Sequence, residues 1–286
     1  MGAHRPRRGA PARREELSTL TPTGPDPLVL AHDDAGSGPV VVLLHSGVTD
    51  RGMWGAVSRG LEPAHRIIRP DLRGFGDTPI PGGAYADADD VAHLLDVLGV
   101  TSAAVVGASF GGRVALELAT RHPDRVDSLV LLCPAHRGLD VADPVVLEFG
   151  RREDELLEAG DVDGAVALNV EMWLGPEASD EARADVARMQ RRAFEVQLVA
   201  DALDPAPQPE RVEVDPSALT VPTLVVSGAL DVAHNRDVGS LLAREIPGAE
   251  LVELGWAGHL PAVERPDEVT ALLLDRLGRT AVSAVD

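Results

Sequence analysis

The fold is decided by the stretch Gly107-Ala108-Ser109-Phe110-Gly111-Gly112, in which a serine lies two residues from a glycine on each side. An apolar run precedes it at residues 103–106, and a run of good helix formers follows it at residues 113–119. The pattern predicts a strand, a sharp turn and a helix, with Ser109 at the apex between small residues that tolerate a strained backbone. We interpret Ser109 as a nucleophile at the N-terminus of a helix, where negative charge is favoured. An incidental serine in a tight turn is the weaker alternative.

The composition is ordinary for a soluble globular protein. Of the 286 residues, 44% are hydrophobic and 25% are charged, and no apolar run reaches the roughly 18 residues that cross a bilayer. The net charge of −20 argues against a nucleic acid partner, because the phosphate backbone would be repelled. Nor do these features point to a membrane as a partner.

The N-terminus and the single cysteine bear on the compartment. Residues 1–25 are rich in arginine but lack the apolar segment of a secretion signal, and Cys133 alone cannot form an internal disulfide. We therefore expect a cytoplasmic protein whose residues 1–25 form a disordered basic tail. A basic docking arm is the weaker alternative for this segment.

Strand and helix patterns alternate after the tail. Apolar runs such as Val40–Leu44 and Thr223–Ser227 have the length of buried strands, and Asp87–Leu98 has helical spacing. Short strands that are buried on both faces and separated by helices predict an α/β fold, with a mostly parallel sheet and helices on both of its faces.

The middle of the chain, residues 136–209, departs from this alternation. It shows no convincing strand and ends in the stiff proline-rich segment 205–209. Its charged helical patterns cover residues 148–159, 163–173 and 178–203. We interpret the segment as a helical cap, inserted into a core of residues 26–135 and 210–280 and covering a pocket at the carboxyl edge of the sheet. A helical subdomain with no role in a pocket is the alternative.

A serine hydroxyl needs a base within hydrogen-bond reach and a third group that orients the base. Among the nine histidines, His259 follows the last strand pattern through a loop of small residues, which places it at the same sheet edge as Ser109. Asp231 follows the preceding strand pattern in the same way, whereas Asp237 lies within or beside the next helix and ranks below it. A structural histidine and a plain helix N-terminal aspartate are the weaker interpretations. The order Ser109, Asp231, His259 is the order that one particular fold uses for its triad.

A tetrahedral intermediate also needs hydrogen-bond donors for its oxyanion, each worth about 3 kcal/mol. We expect one donor to be the backbone N–H of Phe110, at the helix N-terminus. The other should come from the loop after Val40–Leu44, where Gly47 is the first choice because a glycine allows close approach, and Val48 is the second. We interpret His45 as a structural support of this loop.

Taken together, these segments resemble the α/β-hydrolases that carry a cap on a single core. The matching motifs are His45-Ser46-Gly47, Asp71–Thr78, the turn around Ser109, Gly228–Asp231 and Gly258-His259. The resemblance implies a sheet of the eight-stranded type and catalysis by Ser109, Asp231 and His259. The loop at residues 45–54 is similar to that of the 3-oxoadipate enol-lactonases and related esterases. Ser46 departs from the glycine that is common in relatives, which bears on the second oxyanion donor.

The expected reaction is hydrolysis of a carboxylic ester or lactone of a small molecule through an acyl-enzyme, without a metal or an organic cofactor. Serine at position 109 argues against dehalogenation and epoxide opening, for which relatives usually carry aspartate there. Two alternatives stay open: hydrolysis of a carbon–carbon bond in a vinylogous diketone by the same three residues, and a small-molecule receptor on a hydrolase fold. The oligomeric state is open, with a homodimer as one candidate.

The sequence offers only candidates for the residues that form the wall of the substrate pocket. Its candidate wall residues are Val48, Phe149, Met172, Trp173 and Phe194. For the four cap residues among them, simple helix core is the more common role. Few basic residues flank the motif loops, so a strongly anionic substrate is not specially indicated.

Overall fold

The computed structural model describes residues 28–283, with side chains as far as residue 278. The expected tail at residues 1–25 lies outside this range. In chain order the strands are β1 (His32–Gly36), β2 (Val40–Leu44), β3 (Arg66–Pro70), β4 (Gly83–Tyr85), β5 (Ala103–Ala108), β6 (Val126–Leu132), β7 (Pro207–Pro209), β8 (Thr223–Gly228) and β9 (Glu250–Leu254). The α-helices are α1 (Gly55–Leu61), α2 (Asp87–Val97), α3 (Phe110–Arg121), α4 (Pro144–Glu158), α5 (Val162–Trp173), α6 (Asp180–Ala200), α7 (Ala233–Glu245), α8 (Pro261–Glu264) and α9 (Pro266–Ser283).

The central sheet has the strand order β1-β3-β2-β5-β6-β8-β9. All neighbouring strands are parallel except β1, which pairs antiparallel with β3 at one edge. The expected mostly parallel sheet is therefore confirmed. Within the described residues, this sheet of the eight-stranded type has seven strands.

Successive side chains of β2 pack into two different hydrophobic cores, one on each face of the sheet. Val42 and Leu44 pack into one core with α2, α3 and α7, whereas Val41 and Leu43 pack into a second core with α1 and α9. All four side chains are fully buried, as expected when successive residues point to opposite faces of a sheet covered on both sides. The carboxyl ends of the central strands are thereby fixed by two layers of packing.

The segment between β6 and β8 contains α4, α5 and α6, at the three places where helices were expected. Helix α4 begins at Pro144 because the side chain of Asp143 accepts a hydrogen bond from the Val145 N–H and proline suits the first helical position. Ser179 caps α6 in the same way through the Ala182 N–H. Of the helices in the described residues, none is both long and apolar enough to cross a bilayer.

The expectation that residues 136–209 contain no strand is wrong. The proline-rich stretch forms the short strand β7, which pairs in parallel with β4. Prolines cannot donate to a ladder, but the N–H groups of Gly83 and Glu210 supply hydrogen bonds to Ala206 and Tyr85. Through this strand pairing, the end of the segment between β6 and β8 binds the chain just before α2.

Candidate active site

Ser109 lies at the turn between β5 and α3 with φ 50° and ψ −111°, a left-handed backbone that is costly for a residue with a side chain. A Cβ on Gly107 would lie 2.3 Å from the Gly111 carbonyl oxygen, and one on Gly111 would lie 2.3 Å from the Leu44 carbonyl oxygen. Both glycines are therefore required by close backbone approach. The predicted strand, turn and helix are present, and the serine side chain is at the apex.

His259 lies between the other two predicted residues of the triad. Its Nε2 is 2.8 Å from the Ser109 Oγ, and its Nδ1 is 2.6 Å from the Asp231 Oδ2. In the tautomer with hydrogen on Nδ1, the ring donates to the carboxylate while Nε2 accepts from the serine hydroxyl. Asp231 follows β8 and His259 follows β9, so parallel strands bring the three side chains to one edge.

The carboxyl of Asp231 is buried, and burial by itself raises its pKa. The neighbouring His259 and the hydrogen bonds from His259, Asn235 and the Val232 N–H outweigh this and hold the pKa of Asp231 below its ordinary value. The group is therefore ionised at neutral pH, as required of a partner for an imidazolium.

The two residues predicted to donate to an oxyanion, Phe110 and Gly47, lie next to each other in the structure. The Phe110 N–H is in the first turn of α3, and a Cβ on Gly47 would lie 3.4 Å from the Cβ of Phe110, so the two loops touch. Within residues 28–283, no acceptor takes the N–H of Gly47 or Phe110. Both remain available to a ligand, as an oxyanion hole requires.

His45 holds the loop that carries Gly47, as expected. Its Nε2 accepts a hydrogen bond from the Leu72 N–H at 2.9 Å, so its Nδ1 carries the hydrogen and donates to the Ser46 carbonyl oxygen at 2.8 Å. Burial lowers the pKa of His45, which keeps the ring neutral. At Ser46 itself, the backbone N–H points to the sulfur of Met53 at 3.3 Å, and so the loop is fixed on both sides.

Residues 39–266 match the family model described as alpha/beta hydrolase fold. The chain belongs to the α/β-hydrolase family. A 2-hydroxymuconate semialdehyde hydrolase from Pseudomonas putida is 32% identical over 262 residues, which are 85% of this chain and 88% of that relative. The expected family is confirmed, and this α/β-hydrolase is an enzyme that hydrolyses its substrate.

Solved structures of two hydrolases are also similar to it. A thermophilic esterase from Thermogutta terrifontis is 31% identical with a TM-score of 0.74, covering 88% of this chain and 93% of that chain. The enol-lactonase from Burkholderia xenovorans LB400 is 27% identical with a TM-score of 0.72, covering 87% of this chain and 96% of that chain.

The segment with α4, α5 and α6, which we call the cap because it was predicted to be one, contacts the candidate site through Trp173 at the end of α5. The ring of Trp173 lies 4.8 Å from the ring of His259, and its carbonyl oxygen accepts the His259 N–H at 3.3 Å. Phe149 of α4 packs edge-on against Trp173 at 5.1 Å, and Asn169 accepts from the indole N–H at 3.1 Å. Trp173 therefore contacts both His259 and the rest of the cap.

The other candidate wall residues are distributed differently. Met172 and Phe149 line a cavity of about 490 Å³ between α4 and α5, and none of the three triad residues lines it. Phe194 is buried inside the cap against Ala165 and Val166, which is the helix-core role. Val48 packs against the core cluster that contains β2 and α1. Of these candidates, Trp173 contacts His259 directly, and Phe149 contacts Trp173.

Sequence reasoning missed two residues that contact the triad or its loop. Asn235 donates from Nδ2 to the Asp231 Oδ1 at 3.0 Å, and Glu264 accepts from the N–H groups on both sides of His259, at 2.9 Å from Gly258 and 3.2 Å from Leu260. Asn235 lies four residues after Asp231 in a helix, a spacing that could have indicated it. Glu264 lies in the short helix α8, which begins at Pro261 and was not predicted, and this helical turn places its carboxylate against the backbone on both sides of His259.

A buried thiol lies beside the same pair. Ligand atoms of Cys133, Asp231 and His259 fall within 4.8 Å of one another. Burial raises the pKa of Cys133 well above its ordinary value, so the sulfur is a neutral thiol and a poor metal ligand. Asp231 and His259 are already hydrogen bonded to each other, and the chemistry of the donor set fits a triad better than a metal site.

Phe110 also borders a second cavity, of about 290 Å³, where the core meets the end of the cap. The guanidinium of Arg113 lies 4.5 Å from the Phe110 ring, and Asp87 lines the same cavity. Burial raises the pKa of Asp87 to about 7, with Asp90 and Glu117 adding to the effect and Arg113 and Arg73 opposing it. An almost fully buried carboxyl thus titrates near neutral pH.

Proposed function

We propose that this α/β-hydrolase is a serine hydrolase that cleaves a carboxylic ester or lactone of a small molecule through an acyl-enzyme. The observation that carries the proposal is the position of His259, with Nε2 2.8 Å from the Ser109 Oγ and Nδ1 2.6 Å from the Asp231 Oδ2. Both distances are within hydrogen-bond range, so the base can take the serine proton and remain paired with the carboxylate.

In the first half of the reaction the Ser109 Oγ attacks the carbonyl carbon while the His259 Nε2 takes the hydroxyl proton. Asp231 stays ionised and stabilises the imidazolium that results. The carbonyl oxygen gains negative charge, which the N–H groups of Phe110 and Gly47 stabilise as two free donors. When the C–O bond to the alcohol breaks, the imidazolium gives its proton to the leaving oxygen.

In the second half, water takes the place of the alcohol. His259 removes a proton from the water as it attacks the acyl carbon, and the Ser109 Oγ then leaves and recovers the proton. In a lactone the leaving oxygen stays tethered to the acyl group, so the product is a single hydroxy acid. No step needs an oxidant, a reductant or a metal ion.

Hydrolysis of a carbon–carbon bond is the second candidate. It is supported by the 2-hydroxymuconate semialdehyde hydrolase to which the chain is 32% identical. The same serine, histidine and aspartate would serve, but the leaving group would be carbon and would need a proton delivered to that carbon. Aryl esters and a ring-cleavage product, assayed side by side, separate the two reactions by the ratio of their kcat/KM values.

A fluorophosphonate probe tests the proposal directly, because it captures an activated serine whatever the natural substrate. We expect the wild type to be labelled, Ser109→Ala to be spared and His259→Ala to lose turnover by several orders of magnitude. The exposed Ser240 on α7 is a matched control, and Ser240→Ala should be labelled like the wild type. Equal labelling of wild type and Ser109→Ala would end the assignment of Ser109.

A further inference from the structure

Asn235 lies in the first turn of α7, one turn after Asp231, and its amide faces both partners of the acid–base pair. Its Nδ2 is 3.0 Å from the Asp231 Oδ1 and 3.0 Å from the His259 Nδ1. The Val232 N–H donates to the same carboxylate oxygen at 2.7 Å, while His259 takes the other oxygen. The three donors leave the carboxylate fixed in one orientation.

The orientation of the Asn235 amide follows from its neighbours. An ionised carboxylate accepts hydrogen bonds and cannot donate them, so the NH₂ group, rather than the carbonyl oxygen, must face Asp231. The positive end of the amide dipole is thereby also held 3.0 Å from the His259 Nδ1. An amide in this position stabilises the negative charge on Asp231 and opposes the addition of a proton to the pair.

We propose that Asn235 is a positioning residue of the triad, which keeps Asp231 ionised and oriented and keeps His259 free to accept the serine proton. The inference rests on the proposed serine hydrolase function. It adds a fourth residue that acts through Asp231 and His259 and does not itself touch the substrate.

Other groups near the pair act in parallel and are left in place by the test. From the loop after β6 the neutral thiol of Cys133 lies within 4.8 Å of the pair, and from α8 the carboxylate of Glu264 binds the backbone on both sides of His259. From the start of α4, Asp143 accepts the His234 N–H at 3.2 Å on the turn that carries Asn235. From the cap, the uncharged ring of Trp173 covers His259.

The test is the pH dependence of fluorophosphonate inactivation, because its rate reports the base-assisted nucleophile without a known substrate. In the wild type, the rate should fall at low pH as the coupled Asp231–His259 pair takes up a proton. Asn235→Leu removes the donor at similar volume, and we expect the acid limb to move to higher pH by about half a unit to one unit. Asn235→Asp puts a second carboxylate beside the pair and should move the limb further up, by more than one unit.

Ser240→Asp is the matched control for the added charge, because it places the same charge on an exposed position of α7 away from the pair. Its profile should coincide with that of the wild type. A purely structural role of Asn235 would lower the melting temperature of the variants without moving the acid limb. If Asn235→Leu fails to fold, the acid limb of the nearly isosteric variant Asn235→Asp tests the proposal by itself.

The outcomes separate the two proposals. Coincident profiles of the wild type and both Asn235 variants, with Ser109 labelled in each, would overturn the role of Asn235 and leave the serine hydrolase intact. Equal reaction of the wild type and Ser109→Ala would instead remove the proposed function on which the inference rests.

Discussion

The two sides of the candidate site are built differently. On the core side, the triad follows β5, β8 and β9, whose residues pack into two cores, and hydrogen bonds hold Asp231 and His259 on several sides. On the cap side, none of the residues of α4 is buried, and Val145 and Leu147 are more than half exposed. The difference indicates that packing and hydrogen bonds hold the core side of the candidate site in place, while the cap contacts this site through Trp173.

The largest expected contrast between the two sides comes from a pair of glycine substitutions. Gly107→Ala places a Cβ 2.3 Å from a backbone oxygen of the strand–turn–helix, which should cost about 3 kcal/mol of unfolding free energy and abolish activity. Gly150→Ala, in the middle of α4, has nothing within 4 Å of the new Cβ. It should raise the unfolding free energy by about 0.5–1 kcal/mol and leave activity unchanged.

Urea unfolding and ester hydrolysis measure both substitutions. A Gly107→Ala enzyme that is as stable and active as the wild type would show that the turn is not tightly fixed. A Gly150→Ala enzyme that loses several kcal/mol would show that α4 packs as closely as the core.

A second contrast concerns Asp87, where core and cap meet. Because its folded pKa is about 7 and its ordinary value is 3.8, the unfolded state releases the proton first, and Asp87 costs the wild type stability as pH rises from about 4 to about 7. Asp87→Asn removes this dependence. Its unfolding free energy relative to wild type should be higher at pH 8 than at pH 4.5, by about 2–4 kcal/mol.

The measurement is urea unfolding of both proteins at the two pH values. Taking the difference between variant and wild type cancels the titration of the other carboxyls. Differences that are equal at the two pH values would mean that Asp87 titrates normally in the folded protein, and that its cavity is wetter than its burial indicates.

The smallest expected effect is a change in ester selectivity when the cap residue Trp173 is replaced. Trp173→Leu removes the ring against His259 and Phe149, and we expect the ratio of kcat/KM values for bulky and small esters to change about ten-fold. Leu147→Gln, on the exposed face of α4, should leave that ratio unchanged. If Trp173→Leu lowers kcat equally for all esters, the ring acts on the position of His259 rather than on the pocket.

The core side could be anticipated because its signals are local. The small residues around Ser109 indicate close backbone approach, and Asp231 and His259 each follow a strand pattern through a short loop. These patterns place side chains at one sheet edge without knowledge of the rest of the chain. Whether the three side chains act as a catalytic triad stays a proposal until the labelling experiment is done.

The cap side could not be anticipated to the same degree because its contacts join distant segments. Nothing in the sequence near Trp173 indicates that its ring meets His259, because the two residues lie far apart in the chain. The strand β7 was missed because its ladder uses N–H groups outside the prolines. Likewise, the contact of Glu264 with the backbone around His259 depends on the helical turn Pro261–Glu264, which was not predicted.

The lone thiol of Cys133 has a practical consequence for following the cap. It is 1% exposed and its raised pKa keeps it protonated, so it should be inert to maleimide reagents in the folded enzyme. A cysteine introduced at an exposed site such as Leu147 should therefore be the one thiol of the folded enzyme that reacts with a fluorophore. Spectroscopy on such a labelled enzyme can report whether α4 moves when a ligand enters.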